Sequence, residues 1–572
     1  VLVNIISWGI IVYILFTFGD ILLSLYNKVC KQNEQYNVLD KLLLGLCSLI
    51  IPLSVWSLWL PSNQAFLFFA LITSILYWGI NYRKVIRICE NIMDGIKPLT
   101  LSQTIFLSLF ILASLFFFTW QQEVYDSAFY HYQNIRWNEE YPVVPGIANI
   151  DDRFGFNSNY FLLSAIFTFR FVLGEAVYPL QGVLVAAIGY WILYKLFISR
   201  YEVKRVVILV AYILLCWISV HFLGNTSTDI LPNFIAFYIL ARLILSPEKL
   251  KSGYLMGIAL PVFLLTCKLS FFPIGIISLY LIYRLIKEKK YGIISFGCIV
   301  GLFIIVPWLI RNVIVSGYLI FPLYQIDLFN FDWKVPQEIA IREKGYIFDI
   351  GYYFFRIALC YPGESIRDPL VINILTDIIY LLTLTSFVIA AYICRKGNKT
   401  GQHIYLFYAI FVVTIIVWAT GGPDIRFVSG VLCAVIFTGA ILLIKDKKIY
   451  LPKTGNILIC LFITGALLWT GSRYYPFYPE IENTGTSLAL HIITKPFSVK
   501  DQQMERGIDI YEDVDFYPVN NEIMIWVSHD LPYDMPPPAS IRSHYAKFLP
   551  LECIEARGSL IKDGFRAKEG CR

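Results

Sequence analysis

Charge is what this sequence has least of. Only 15% of its 572 residues are Asp, Glu, Lys or Arg, against 57% hydrophobic residues and a mean hydropathy of +0.63. A soluble domain carries roughly a quarter charged residues to keep its surface wet, so a water-soluble globular fold is excluded. There is no Gly-rich loop ending in Lys-Ser/Thr, no HExxH, no GxSxG and no CxxC. P-loop nucleotide hydrolysis, zinc proteolysis and serine-hydrolase chemistry therefore lack their signatures. No repeat of fixed period is present, and the one biased stretch is "MPPPAS" at 535–540. The twelve cysteines have no metal-site spacing. All but Cys553 and Cys571 lie in or beside apolar sequence and read as small buried apolar residues. Those two lie in a polar tail, where they either pair, if the tail is exported, or stay free thiols.

What is there is a succession of apolar runs of roughly 18 to 25 residues, the length a tilted helix needs to cross a bilayer. The first, "VLVNIISWGIIVYILFTFG", lacks a basic n-region and a cleavage site and is read as a retained helix. The net charge of +6 resides in short loops, where it reports topology and not a nucleic-acid partner. Basic loops near 27–31, 81–97, 199–205, 246–253, 283–290, 394–399 and 445–448 alternate with lysine-poor ones, among them 121–176, 224–229, 312–370 and 421–426. The positive-inside rule assigns the first set to the cytoplasm. Counting "FNSNYFLLSAIFTFRF" at 156–171 as a span would invert every later loop, so it is read as a helix lying at the interface. The expectation is an all-α polytopic membrane protein with about fourteen transmembrane helices and both termini outside. Its parts are an N-terminal three-helix segment (1–100), a core (101–312) with a first external loop (121–176), a second external loop (313–370), further helices (371–473) and a small extracytoplasmic tail domain (474–572).

Polar residues concentrate where these helices meet the outside. "YDSAFYHYQNIRW" at 125–137 follows the apolar segment 101–120. Its Asp126 either caps an interfacial helix or serves as a general base toward a hydroxyl. Asp151 and Asp152, beside Arg153, either form a solvated turn or bind sugar hydroxyls or a divalent cation. Asp229 opens a helix in "GNTSTDILPN", and Lys268 separates two short apolar halves in "TCKLSFFP". Arg311 closes a helix, and Asp424 and Arg426 share "GGPDIRF". Basic residues facing inward at the boundary suit a phosphate or diphosphate. Snorkelling to headgroups is the alternative for Lys268, and an ion pair with Asp424 the alternative for Arg426.

An acid just past a transmembrane helix, followed by an aromatic and His-bearing interfacial helix, resembles the first external loop of GT-C class glycosyltransferases. "YHYQNIRWNEEYPVVPGIANIDDRFGFNSNYFLLSAIF", "PWLIRNVIVSGYLIFPL", "GGPDIRF" and "RGSLIKDGFR" more closely resemble a bacterial family of such membrane proteins, over most of residues 101–572. The resemblance implies a GT-C-like fold and a polyprenyl-phosphate-linked sugar donor. It implies Asp126 as the catalytic base, His131 following it in a D-x-x-x-x-H arrangement, and Asp229 as a second acid that orients substrate. Lys268 and Arg311 are its candidates for the lipid phosphate. Ser127 stands where many class members have a second acid, which counts against a metal held by this motif. No cofactor is certain, and a divalent cation is the one candidate. The expected function is transfer of a sugar to a hydroxyl of a cell-surface glycan or protein, on the outer face of a bacterial inner membrane. The alternative is a flippase, exporter or polymerase of lipid-linked oligosaccharides, although transporters tend to carry the internal repeats that are missing here.

Overall fold

The apolar runs fold as helices whose close packing depends on small residues. Helices α1 (Leu2–Val29) and α2 (Val38–Trp56) form a hairpin. In it Gly19 faces the Lys41 backbone and Gly45 the Leu15 backbone, so that a Cβ at either position would collide. Asn37 caps α2 by accepting from Asp40 N at 2.7 Å. Helix α3 (Gln64–Ile80) ends at Asn81, where the chain turns by 89° into α4 (Tyr82–Ile96). Helix α4 buries none of its residues and exposes Val85, Ile86, Ile92, Met93 and Ile96 among its charges, the pattern of a helix lying along a membrane surface. A Thr100/Gln103 capping box opens α5 (Leu101–Phe117).

The computed structural model describes every residue except 252, 361–369, 396–401, 445–447, 478–487, 495, 506–508, 510–513, 542–548 and 572. The basic loops at 394–399 and 445–448 lie largely outside the described residues. Within 121–176 come a π-helical turn (Ser127–His131), α6 (Tyr132–Glu140), two 3-10 turns, α7 (Asn159–Ile166) and α8 (Arg170–Leu173). Helix α7 has eight residues, about 12 Å at the helical rise, far short of a span. All eight of its residues are buried in protein. After it follow α9 (Pro179–Ile198), α10 (Val203–Ile218), α11 (Ile230–Leu245), α12 (Leu255–Cys267), α13 (Gly275–Lys287) and α14 (Tyr291–Ser316). The second loop contains α15 (Gln337–Cys360), then come α16 (Leu370–Arg395), α17 (Gln402–Gly421), α18 (Ser429–Ile444) and α19 (Pro452–Tyr474). Among the described residues eight helices are long and apolar enough to cross a membrane, or nine with the bent α3–α4 pair. Several apolar runs instead give helices of 13 to 17 residues, roughly 20–26 Å at 1.5 Å per residue, because Gly, Pro and polar residues stop them early.

Loop contacts sort into two ends of the bundle. At the lysine-rich end Tyr26 Oη donates to Gly253 O (2.5 Å), Tyr36 Oη accepts from Leu255 N (2.8 Å) and Tyr194 Oη donates to Gly95 O (3.0 Å). At the other end Val143 N donates to Ser57 O (2.9 Å), Gly146 N to Ile314 O (2.8 Å) and Phe497 N to Thr119 O (2.6 Å). The backbone nitrogen of Val1 reaches Ile492 O at 2.5 Å, so residue 1 and the tail share that second end.

In the tail, α20 (Leu488–Thr494) and α21 (Val499–Glu505) precede β1 (Val514–Pro518). β1 pairs antiparallel with β2 (Met524–Ser528), which pairs parallel with β3 (Ala539–Ile541). β4 (Ile554–Ala556) and β5 (Phe565–Ala567) form an antiparallel pair, and a Cys553–Cys571 disulfide brackets them. Of the remaining described cysteines, Cys47, Cys216, Cys267 and Cys433 are buried as expected. Cys89, Cys298 and Cys460 are exposed instead, on the outward faces of α4, α14 and α19. The tail straps both loops. Asp534 receives both terminal nitrogens of Arg170 at 2.7 Å, Gln133 donates to Tyr533 O and Met535 O, and Arg557 pairs with Asp332 at 2.8 Å.

Candidate functional site

Past α5 the chain is pinned by Trp120, whose ring packs against Tyr474, Phe477 and Phe497. Six residues on, Asp126 stands at the head of the π-turn in right-handed helical conformation and makes no side-chain cap bond. The capping role open to it in the sequence is not taken up. Its Oδ2 instead accepts from Arg426 Nη1 at 2.8 Å, across 300 residues of chain. Single π-turns occur often at functional sites because they re-aim one side chain out of helical register.

Arg426 comes from a tight connection between α17 and α18. Gly422 adopts φ +151° and lies against Gly351, where a Cβ would meet backbone. Asp424 Oδ1 accepts from Arg426 N (2.9 Å), and Trp418 Nε1 donates to Asp424 O (2.7 Å), which fixes the turn. Asp424 Oδ2 then sits 2.9 Å from Arg426 Nε. Asn233, one turn into α11, ties the connection down. Its amide donates to Arg426 O (2.6 Å) and its oxygen accepts from Gly430 N (2.7 Å).

Asp229 opens α11 and also makes no cap bond. Its carboxylate pairs with Lys268 and lies 3.8 Å from Arg426 Nε. Lys268 occupies an extended residue between α12 and a 3-10 turn (Leu269–Ile274), so the break visible in the sequence places it. Its ammonium lies 3.7 Å from the centroid of Phe427, and the Arg426 guanidinium lies 5.1 Å from the same ring and 5.7 Å from Phe222. Four distant segments thus bring together Asp126, Asp229, Lys268, Asp424 and Arg426. Asp424 balances Arg426 and Asp229 balances Lys268, which leaves one carboxylate in excess. Asp126 is also the most open of the three acids, with 25% of its side chain exposed against 7% for Asp229 and 10% for Asp424. Burial would raise its pKa, but Arg426 and, farther off, Arg153 outweigh it and bring the carboxyl down to about 2.

His131 lies one π-turn beyond Asp126, 3% exposed, with Nδ1 3.1 Å from Ser127 Oγ and its ring against Tyr130 and Phe161. Burial lowers its pKa to about 3 although Asp126 pulls the other way, so the imidazole is neutral at ordinary pH. Asp151 is spent locally, accepting from Arg153 N at 3.1 Å. Asp152 belongs with Arg153 and Glu343 of α15. Arg153 Nε is 3.1 Å from Glu343, which is fully buried. Burial first, then the neighbouring Asp152, push the Glu343 carboxyl well above the usual range against the pull of Arg153. Arg311 stands apart, 3% exposed, bonded to Ser57 Oγ (2.7 Å), Asn157 Oδ1 (3.3 Å) and Asn138 Oδ1. Among the described residues no group of three or more His, Cys, Asp or Glu is arranged to hold a metal ion. Sequence reasoning passed over Asn233, Phe427, Phe222 and Glu343. An asparagine inside the apolar run "ILPNFIAFYIL" was a usable signal for the first.

The chain belongs to the family described as a domain of unknown function (DUF8201), whose model matches residues 1–433. That match takes in all five clustered residues and ends before the tail. No curated protein and no solved structure matches the chain.

Proposed function

We propose that this chain is a GT-C type membrane glycosyltransferase. It moves a sugar from a polyprenyl-phosphate-type lipid donor to an acceptor hydroxyl of a cell-surface glycan or protein. The observation that carries the reading is the partly exposed carboxylate of Asp126, paired with Arg426 in a cluster that holds three acids and two cations. A leaving phosphate needs cations, and an attacking hydroxyl needs a base. The donor phosphate competes with Asp126 for Arg426 and with Asp229 for Lys268. Once Arg426 turns to phosphate, Asp126 loses the charge that depresses its pKa and becomes a stronger base. The acceptor O–H then gives its proton to Asp126, and its oxygen bonds to the anomeric carbon. The bond from that carbon to the lipid phosphate breaks in line, with inversion, and the electron pair stays on the phosphate oxygen.

The site faces outside a bacterial inner membrane. In support, the opposite end carries the basic loops, and the strand pair that packs on the first external loop carries a disulfide, a bond that persists in oxidising compartments. About fourteen crossings result if α5, α10, α11, α12 and α18 cross in a locally thinned or protein-lined path, as short helices can. An even number agrees with Val1 meeting Ile492 at one end. The test is to incubate the purified protein with a panel of polyprenyl-linked sugars and measure release of lipid phosphate. Asp126→Asn is expected to lower transfer by about 10²–10⁴-fold with its fold unchanged, and full activity in that variant refutes the assignment.

A further inference from the structure

At the lysine-rich end four helices converge with more cations than acids. Trp191, near the end of α9, has two guanidiniums over its ring, Arg205 of α10 at 5.8 Å and Arg242 of α11 at 5.7 Å from the centroid. Lys195, one turn after Trp191, is close enough to both arginines to be repelled by them. The acid among them is Asp40 of α2, 1% exposed, which accepts from Tyr238 Oη (2.5 Å) and Arg242 Nη2 (3.2 Å). Glu202 attracts Arg205 from farther off. Among the described residues neither Lys195 nor Arg205 has a carboxylate within ion-pair distance. The helix ends explain part of this, since Lys195 and Arg242 lie in the last turns of α9 and α11, where a cation is favoured. Arg205 lies in the first turn of α10, where it is not.

A second observation points to what is bound. Three buried donors in this one place, Trp191 Nε1, Arg205 Nη1 and Arg242 Nε, meet no acceptor among the described residues. A buried donor without an acceptor carries its full desolvation cost, and more so when it is charged. The complement of several neighbouring unpartnered N–H groups and three cations is an anion with several oxygens. The cluster sits where helices give way to the basic loops 199–205 and 246–253, and basic pockets between helices on the cytoplasmic side suit anionic lipids.

We propose that Lys195, Arg205 and Arg242 around Trp191 form a binding site for a phosphate group at the lysine-rich end. The site is independent of the glycosyl-transfer reading. The phosphate is carried either by an anionic phospholipid or by a soluble phosphate, and the experiment separates the two. Thermal unfolding of the purified full chain in neutral detergent is followed with added phosphatidylglycerol, phosphatidylcholine or inorganic phosphate. Phosphatidylglycerol is expected to raise the Tm where phosphatidylcholine does not. The double variant Lys195→Gln/Arg205→Gln should require at least about ten times more of it for the same shift, while Arg205→Lys keeps most of the response. A response to inorganic phosphate that the double variant loses supports the same site with a soluble source. No response to either phosphate, an equal response in wild type and double variant, or an equal response to phosphatidylcholine overturns the proposal. Should the double variant not fold, Arg205→Gln alone, which breaks no ion pair, gives the same comparison.

Discussion

Arg426 presents one guanidinium to two carboxylates at once, Nη1 to Asp126 and Nε to Asp424. An ammonium is a single point of charge and cannot hold both in fixed geometry. Arg426→Lys is therefore expected to retain less than about a tenth of lipid-phosphate release, since the bridge between the two carboxylates is lost. The pH profile carries a sign. Arg426 holds the Asp126 carboxyl down to about 2 in free protein, so on the glycosyltransferase proposal the acid limb of kcat/KM is expected that low. If a donor phosphate draws Arg426 away, as proposed, the acid limb of kcat should lie at higher pH, because kcat reports groups in the bound complex. Coincident limbs would mean that Arg426 does not change partner. His131 acts on stability. Its folded pKa of about 3 is below the unfolded value near 6.5, so the unfolded chain takes up a proton first. The destabilisation is absent above pH 6.5, grows as pH falls toward 3, and should shrink in His131→Phe, read as Tm against pH. The sequence shows Asp126, Lys268 and the Asp424/Arg426 pair because charges stand out against apolar neighbours. It does not show Glu343, which sits in a mixed polar stretch whose burial depends on Arg153 arriving from far along the chain.

Between elements, the joint that matters is α11 against α18. Gly430 lies on the backbone of Asn233, where a Cβ would clash, and Asn233 holds Arg426 O and Gly430 N with one side chain. Asn233→Ala leaves the buried Gly430 N and the partly buried Arg426 O without this partner and is expected to destabilise by about 1–3 kcal/mol. It should lower transfer as well, because the Arg426 turn loses its anchor, and a denaturant titration beside the activity assay measures both. Existence and order of the apolar helices were legible from run lengths alone. Their ends were not: the halt of α12 before Lys268 shows as a charged interruption, whereas the bend at Asn81 and the complete burial of α7 depend on what packs against them. The span rule reads composition, and burial in protein satisfies an apolar helix as well as lipid does.

Across the whole molecule the tail joins loops that the sequence shows only as separate. Asp534 takes Arg170 with two parallel bonds, and Arg136 donates to the Asp534 carbonyl. Asp534→Ala removes the charged pair while Glu139 still holds Arg170 at 2.9 Å. The tail should then loosen and be cut faster by added protease, with the membrane part intact on a gel. Reducing Cys553–Cys571 should act locally, on the β4–β5 pair, since the loop it closes spans only 18 residues. The 300 residues between Asp126 and Arg426 also bear on biosynthesis. A ribosome that has made the first external loop still has most of the message to read before the matching guanidinium emerges. Until then the carboxylate has the more distant Arg153 but not its hydrogen-bonded partner, so a chain ended anywhere in that interval would be inserted with this ion pair unmade.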